Sequence, residues 1–248
     1  MDYEIGEMMR LAPGTVELHD ARRSIRRTVT LEAFSISRCA LVLDGSDRPT
    51  SGVTWFEAVD LCNRLSSAHG LQPAYTINDR RVHWDVRADG FRLPTEAEWE
   101  YACRAGTTGP HYGDLREIAW TSLDGIDGPQ PVRQKQPNAF GLYDTLGNVW
   151  EWCWDYLDPA RYGDYRVFRG GSWADPPWSV RASTRRGSAP DAVVEGTGLR
   201  LARGAMGAGG SEAPEAAQGW SATQDRARAS ISGPLPAGWT PLRELAVR

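Results

Sequence analysis

Asp144 and Glu151 bracket a turn in GLYDTLGNVWEWCWD, residues 141–155, which also carries Gly147, Asn148 and three tryptophans. Carboxylate and carbonyl oxygens converging on such a loop suit a hard cation, and calcium is favoured because it tolerates irregular oxygen geometry. Spacing alone leaves a second reading open, in which Asp144 caps the turn and Glu151 is solvated. Trp150, Trp152 and Trp154 alternate, so an extended backbone sets their rings on one face, where core packing is the expected use. The sulfur and imidazole groups offer less. Cys39, Cys62, Cys103 and Cys153 never form a C-x-x-C pair, so neither a zinc ribbon nor a dense disulfide framework is encoded. His19, His69, His83 and His111 are scattered too, and iron or zinc could be held only by a site assembled from distant residues.

The elements that must position these groups are modest. In GVTWFEAVDLCNRLSSAHG, Thr54 and Glu57 form a T-x-x-E capping box, apolar residues recur at helical spacing and Gly70 can close the end. LPTEAEWEYACRAG repeats the design with Thr95, Glu98 and Gly106. Short strand-like pieces, RTVTLEAFSIS, RVHWDV, QPVRQ, YRVFRGGSW and GTGLRLAR, are separated by Gly, Pro, Asn and Asp turns. The fold class is α+β, with long irregular stretches that something other than ladders must hold, and the 11 tryptophans are the available material.

From Gly204 the composition turns small, polar and flexible, so the domain is expected over 1–203 and a flexible linker with a disordered C-terminal tail over 204–248. Within that tail PLPAGWTPLREL, 234–245, is a candidate short docking element. The 248 residues carry 28 basic and 32 acidic groups, a formal charge of −4, which gives no global pull toward nucleic acid or an anionic membrane. There is no apolar run of about 18 residues, and the first residues lack a secretory pattern. The expectation is a cytoplasmic protein with neither membrane nor nucleic-acid partners.

Four motifs, FRLPTEAEWEYACRAG, NAFGLYDTLGNVWEW, RVFRGGSW and GLRLAR, in this order and spacing, resemble the formylglycine-generating enzyme family, the sulfatase-modifying factors. The similarity runs from about Glu7 to Arg203 and is strong from Gly52 onward. It implies the sulfatase-modifying-factor variant of the C-type-lectin-like fold, with little regular secondary structure. It also implies a calcium loop using Asp144, the carbonyls of Gly147 and Val149, and Glu151.

The family's chemistry is a copper site on two cysteines shortly after the GGS-aromatic motif. Here the corresponding stretch, GGSWADPPWSVRASTRRG, contains no cysteine, and alanine, aspartate and proline cannot replace a soft thiolate pair. No catalytic residue is therefore carried over, and formylglycine generation is expected to be absent. Ser172, which matches the family's active-site serine, has no histidine near it in sequence for a triad and is expected to bond backbone in its turn. Another use of the fold is binding without catalysis, with the segment before G-[FL]-R as the exposed surface. That makes 173–198 the expected contact surface for a protein or small-molecule ligand, with Ser172, Trp173, Asp175, Trp178 and Arg186 as candidate ligand-binding residues. Arg181 and Arg185 are expected in internal ion pairs. The alternative is a metal-dependent oxidoreductase, of non-haem iron or copper, acting on a thiol or protein substrate.

Overall fold

Both capping boxes form. The Glu57 amide donates to Thr54 Oγ1 at 3.1 Å while the Thr54 amide donates to Glu57 Oε2 at 2.7 Å, and Thr95 and Glu98 repeat the exchange at 3.1 and 2.9 Å. A computed structural model places residues 5–20, 25–43, 45–204 and 218–230. Along them run β1 (Met8–Leu11), β2 (Gly14–Asp20), β3 (Ile25–Leu31), β4 (Phe34–Ser37), α1 (Trp55–Ala68), β5 (Tyr75–Asn78), β6 (Arg81–Trp84), β7 (Phe91–Arg92), α2 (Glu96–Arg104) and α3 (Leu115–Ile118). There follow β8 (Trp150–Tyr156), α4 (Pro159–Tyr162), β9 (Arg166–Arg169), β10 (Arg185–Ser188), β11 (Thr197–Leu199), β12 (Ala202–Arg203) and α5 (Ala222–Ala229). The long segment between α3 and β8 is built from turns, with one 3₁₀ turn over Ser122–Asp124. QPVRQ, expected as a strand, is part of it: Val132 donates to the Asp47 carbonyl, and Arg133 turns left-handed at φ 65° to aim its amide at Asp144.

Two small sheets carry the domain. One has the order β1-β4-β12-β7, and the other β10-β9-β8-β11 with β11 parallel to β8. β2–β3 and β5–β6 are separate antiparallel ribbons. β8 is buried on both faces. Trp150, Trp152 and Trp154 share one face as their alternation predicts, packing with α1, Tyr75, Trp84 and Phe168, while Cys153 joins Trp99, Cys103, Val167 and Val180 on the other. At about 25 cal/mol per Å², each fully buried indole contributes roughly 4–6 kcal/mol of gross burial.

α2 is unusual among the helices because Glu96, Glu98 and Glu100 are all buried. Each meets an arginine: Arg92 grips Glu98 with two bonds of 2.6 and 2.7 Å, Arg185 grips Glu96 with two of 2.7 Å, and Arg169 bonds Glu100. Burying charge is tolerable only with such pairing and hydrogen bonding.

The flexible reading of 204–248 fails for 218–230. Gln218 is buried and mimics a strand neighbour, accepting from the Glu32 amide at 2.7 Å and donating to the Glu32 carbonyl at 3.1 Å. Gly219 lies so close to the core that a Cβ there would sit 2.7 Å from Val29 and 2.8 Å from Ala97. Trp220 packs against Trp84 and Trp154, with centroids 5.3 and 5.5 Å away, and completes the aromatic cluster. Composition missed this because three anchoring residues suffice to hold a polar segment. Residues 205–217 and 231–248, with the 234–245 element, lie outside the described residues. Truncation after Gly204 is expected to destabilise the domain, with Trp220→Ala alone costing about 3 kcal/mol. Urea midpoints of the three proteins measure this, and an unchanged midpoint for the truncated chain would show that 218–230 holds nothing.

Candidate functional site

The 141–151 turn is held open by left-handed residues: Asp144 at φ 52°, Gly147 at φ 73° and Asn148 at φ 60°. Gly147 is required, since a Cβ would lie 2.2 Å from the Trp120 carbonyl. Asn148 staples neighbouring loops, exchanging side-chain bonds of 2.8 and 3.0 Å with the Gln130 backbone and accepting from the Trp173 amide at 2.9 Å. The turn therefore fixes where Trp173, and with it the Ser172 loop, must sit.

Glu151 is fully buried, and both of its oxygens are taken. Oε1 accepts from Arg200 Nη2 at 2.8 Å and Nε at 3.1 Å, while Oε2 accepts from Arg200 Nε at 2.9 Å and from Trp99 Nε1 at 2.6 Å. Arg200 also donates to the carbonyls of Ser37 and Tyr143, at 2.7 and 2.8 Å. A carboxylate offers about four lone-pair sites, and three N–H groups engage those of Glu151, with the single Arg200 Nε–H shared between its two oxygens. It is not solvated, and a cation on the expected set of Asp144, Gly147, Val149 and Glu151 would have to share Glu151 with the Arg200 guanidinium. Asp144 is different. Its Oδ2 accepts from the Arg133 amide at 2.8 Å, but among the described residues its buried Oδ1 has no partner. Burial pushes its carboxyl up to about 6, partly offset by the Arg133 amide and by Arg200.

The second cluster surrounds Ser172. Its Oγ donates to Asp175 Oδ2 at 2.7 Å rather than to backbone, and its amide reaches the same oxygen at 3.0 Å. Trp150 Nε1 adds a third bond at 2.8 Å, and Arg186 Nη1 faces Oδ1 at 3.2 Å while its guanidinium lies 5.0 Å from the Trp150 ring centroid. Asp175, expected at the surface, is thus the buried centre of its own loop. Trp173 is half-buried. Trp178 is 66% exposed on the far side of Pro176 and Pro177. Of the two arginines assigned to ion pairs, Arg185 makes one, with Glu96, and Arg181 is exposed.

No soft-metal donor set is assembled at this loop. All four cysteines are buried and unpaired, and desolvation pushes their thiols up, Cys103 to about 12. His69 and His111 bond the carbonyls of Leu65 and Val180, each at 2.9 Å, while His19 and His83 sit on β2 and β6. Among the described residues no three His, Cys, Asp or Glu side chains converge to hold a metal ion. Arg200 and Trp99 were the functional partners missed in the sequence. The signal was there: an arginine between Leu199 and Leu201, in an otherwise apolar stretch, demands a buried carboxylate.

The sequence profile of the sulfatase-modifying factor enzyme 1-like domain matches residues 41–205. The chain belongs to this family. It is 39% identical over 148 residues to the inactive C-alpha-formylglycine-generating enzyme 2 of Bos taurus, covering 52% of this chain and 48% of that one. It is 37% identical over 161 residues to the formylglycine-generating enzyme of Streptomyces coelicolor, covering 52% and 51%. The chain thus spans about half the length of these curated relatives. Among solved structures, the Treponema denticola variable protein 1 superposes with a TM-score of 0.73 at 28% identity, covering 81% of this chain and 97% of that one. The fold is the sulfatase-modifying-factor variant of the C-type-lectin-like fold, and its family contains members named active and inactive.

Glu151→Gln is expected to cost about 3–5 kcal/mol with or without a chelator, because it leaves the Arg200 charge buried and unpaired. Asp144→Asn separates proton from cation at the turn. The Asp144 carboxyl titrates higher folded than unfolded, so its contribution is full below about pH 4 and is lost as the pH rises through 6. The asparagine variant should therefore match wild type near pH 4 and exceed it in urea midpoint at pH 8. A chelator that lowers the wild-type melt, and leaves the variant unmoved, would instead place calcium on Asp144.

Proposed function

We propose that the protein is a catalytically divergent member of its family, a cytoplasmic binding or accessory module that presents the 173–198 surface to a protein or small-molecule ligand. The observation that carries this reading is the closed Ser172–Asp175 loop. Asp175 gathers Ser172, Trp150 and Arg186 where a copper chemistry would need thiolates, and a hard carboxylate saturated by hydrogen bonds supplies no soft ligand. The same bonds make the loop a rigid stand for Trp178. Leu123 at 50% and Val193 at 70% exposure add apolar surface, Leu123 directly after Ser122, whose amide donates to the Asp175 carbonyl. Exposed Arg181, three residues after Trp178, adds positive charge. An aromatic ring on a pre-ordered loop beside an arginine is the composition of an interface anchor. The relative named inactive supports loss of the reaction within this family. The four unpaired cysteines support a reducing compartment. Calcium enters only through Asp144, the one carboxylate of the turn with an oxygen to spare.

Quantitative affinity capture with wild type and Trp178→Ala side by side tests the reading. The variant should melt within about 0.5 kcal/mol of wild type, as for an exposed position. It should lose, by tenfold or more, whatever ligand the wild type retains. Oxygen consumption with a thiol-containing peptide, by protein carrying stoichiometric copper or iron, would overturn the binding reading in favour of the oxidoreductase.

A further inference from the structure

Where the 218–230 segment crosses α2 it leaves a cavity of about 350 Å³, lined by β2, β3, α2, β8 and α5 together with Arg169 and Arg185, and not by Ser172, Asp175 or Trp178. Asp155 of β8 lines it. This side chain is only 5% exposed, its Oδ2 accepts from the Glu96 amide at 2.7 Å, and among the described residues its Oδ1 has no hydrogen-bond partner. The other carboxylates around the cavity are already matched by arginines. Arg185 and Arg169 hold Glu96, Arg169 and Arg104 hold Glu100, and Arg228 of α5 holds Asp225. Arg27 is bonded to the Gly219 carbonyl and to Gln224 Oε1, at 2.8 and 2.9 Å. Asp155 is the carboxylate left over, and it is nine-tenths buried with an oxygen to give. Trp220 and Leu18 supply apolar wall.

We propose that this cavity binds a small organic cation, a primary ammonium on a short alkyl chain, with Asp155 as its counter-ion and Trp220 as its wall. A carboxylate in low dielectric with a free lone pair is the complement of an ammonium donor. An indole beside it adds attraction for the same charge and covers the alkyl stem. The volume lies within the range of small-molecule sites and suits a ligand of modest size. The environment of Asp155 agrees. Burial, and then the neighbouring Glu96 charge, raise its carboxyl to about 7, while the Glu96 amide and Arg228 pull the other way and Asp225 adds to the rise. Glu96 itself is held low by Arg185 and Arg169 against its own desolvation. His19, on the rim, lies on exposed β2 surface.

Because only ionised Asp155 pairs with a cation, affinity scales with the ionised fraction. Isothermal titration of the full chain with n-butylamine should show binding about tenfold tighter at pH 8 than at pH 6. At pH 7 binding should release a fraction of a proton, read from the dependence of the heat on buffer ionisation enthalpy. n-Butanol and butyrate, which lack the positive charge, should give no binding. Asp155→Asn keeps the acceptor for the Glu96 amide and should weaken butylamine at least tenfold while keeping the near-ultraviolet dichroism of the packed tryptophans. If that variant does not fold, the proton release and the pH ratio of the wild type decide alone. Equal affinity at pH 6 and pH 8, binding of butyrate in place of the amine, or no amine binding at all would overturn the proposal.

Discussion

The buried pair of Glu151 with Arg200 is the constraint on which the architecture turns. Four parts of the chain meet at these two side chains: β8 through Glu151, the crossing between β11 and β12 through Arg200, the end of β4 through the Ser37 carbonyl, and the 141–148 turn through the Tyr143 carbonyl. Trp99 of α2 adds a fifth contact. The pair lies where the chain passes between the two sheets, since β11 pairs with β8 in one and β12 with β4 in the other. Desolvating two ions is costly, and the pair is tolerated because Arg200 also donates to two carbonyls and Glu151 also accepts from the Trp99 indole. A pair so dependent on geometry resists small displacement, which makes it a device for specifying one arrangement of loops rather than a large source of net stability.

Around that centre the molecule substitutes rings and guanidinium groups for ladders. Arg166 lies between the rings of Trp55 and Tyr156, with 3.9 and 3.7 Å to the centroids, and its Nη1 bonds the Trp154 carbonyl at 2.6 Å. Arg92 joins Glu98 while lying over Trp84. In each case a planar cation satisfies a carboxylate or carbonyl at its edge and packs apolar surface with its face, a combination lysine cannot offer. Irregular backbone leaves many carbonyls without strand partners, and arginines reach several of them. This explains how a chain with short strands can still bury so much polar surface.

Legibility from sequence followed the range of the interactions. Thr54–Glu57 and Thr95–Glu98 lie within one turn of helix, so the residues that recognise each other are visible together. The alternation of Trp150, Trp152 and Trp154 is equally local, and so is the absence of cysteine after Gly171. The partners of Glu151 were not visible in the same way, because Arg200 is 49 residues away and Trp99 is 52. A carboxylate beside a glycine-rich turn looks like a cation ligand until the guanidinium that fills it is known. Gln218 shows the same limit in reverse: its polar surroundings suggest disorder, yet its amide closes a backbone pair with Glu32 at a separation of 186 residues. Asp175 fails as a predicted surface contact because the loop doubles back within three residues and presents its carboxylate to Ser172.

That last fold-back has a chemical consequence. A carboxylate held by the Ser172 amide and hydroxyl, the Trp150 indole and the Arg186 guanidinium is a hard, fully engaged acceptor. Sulfur in such a setting would be polarizable and weakly hydrogen-bonded, free to move toward a soft metal. Aspartate instead draws its donors inward and locks the loop, so the energy goes into rigidity. Pro176 and Pro177 extend that rigidity to Trp178 by fixing the backbone that carries it. An exposed indole on a mobile loop would lose much of any contact energy to ordering, a cost that a hydrogen-bonded loop reduces. An aspartate in this turn therefore supplies no soft donor for redox copper, and its hydrogen bonds close the loop that leads to Trp178.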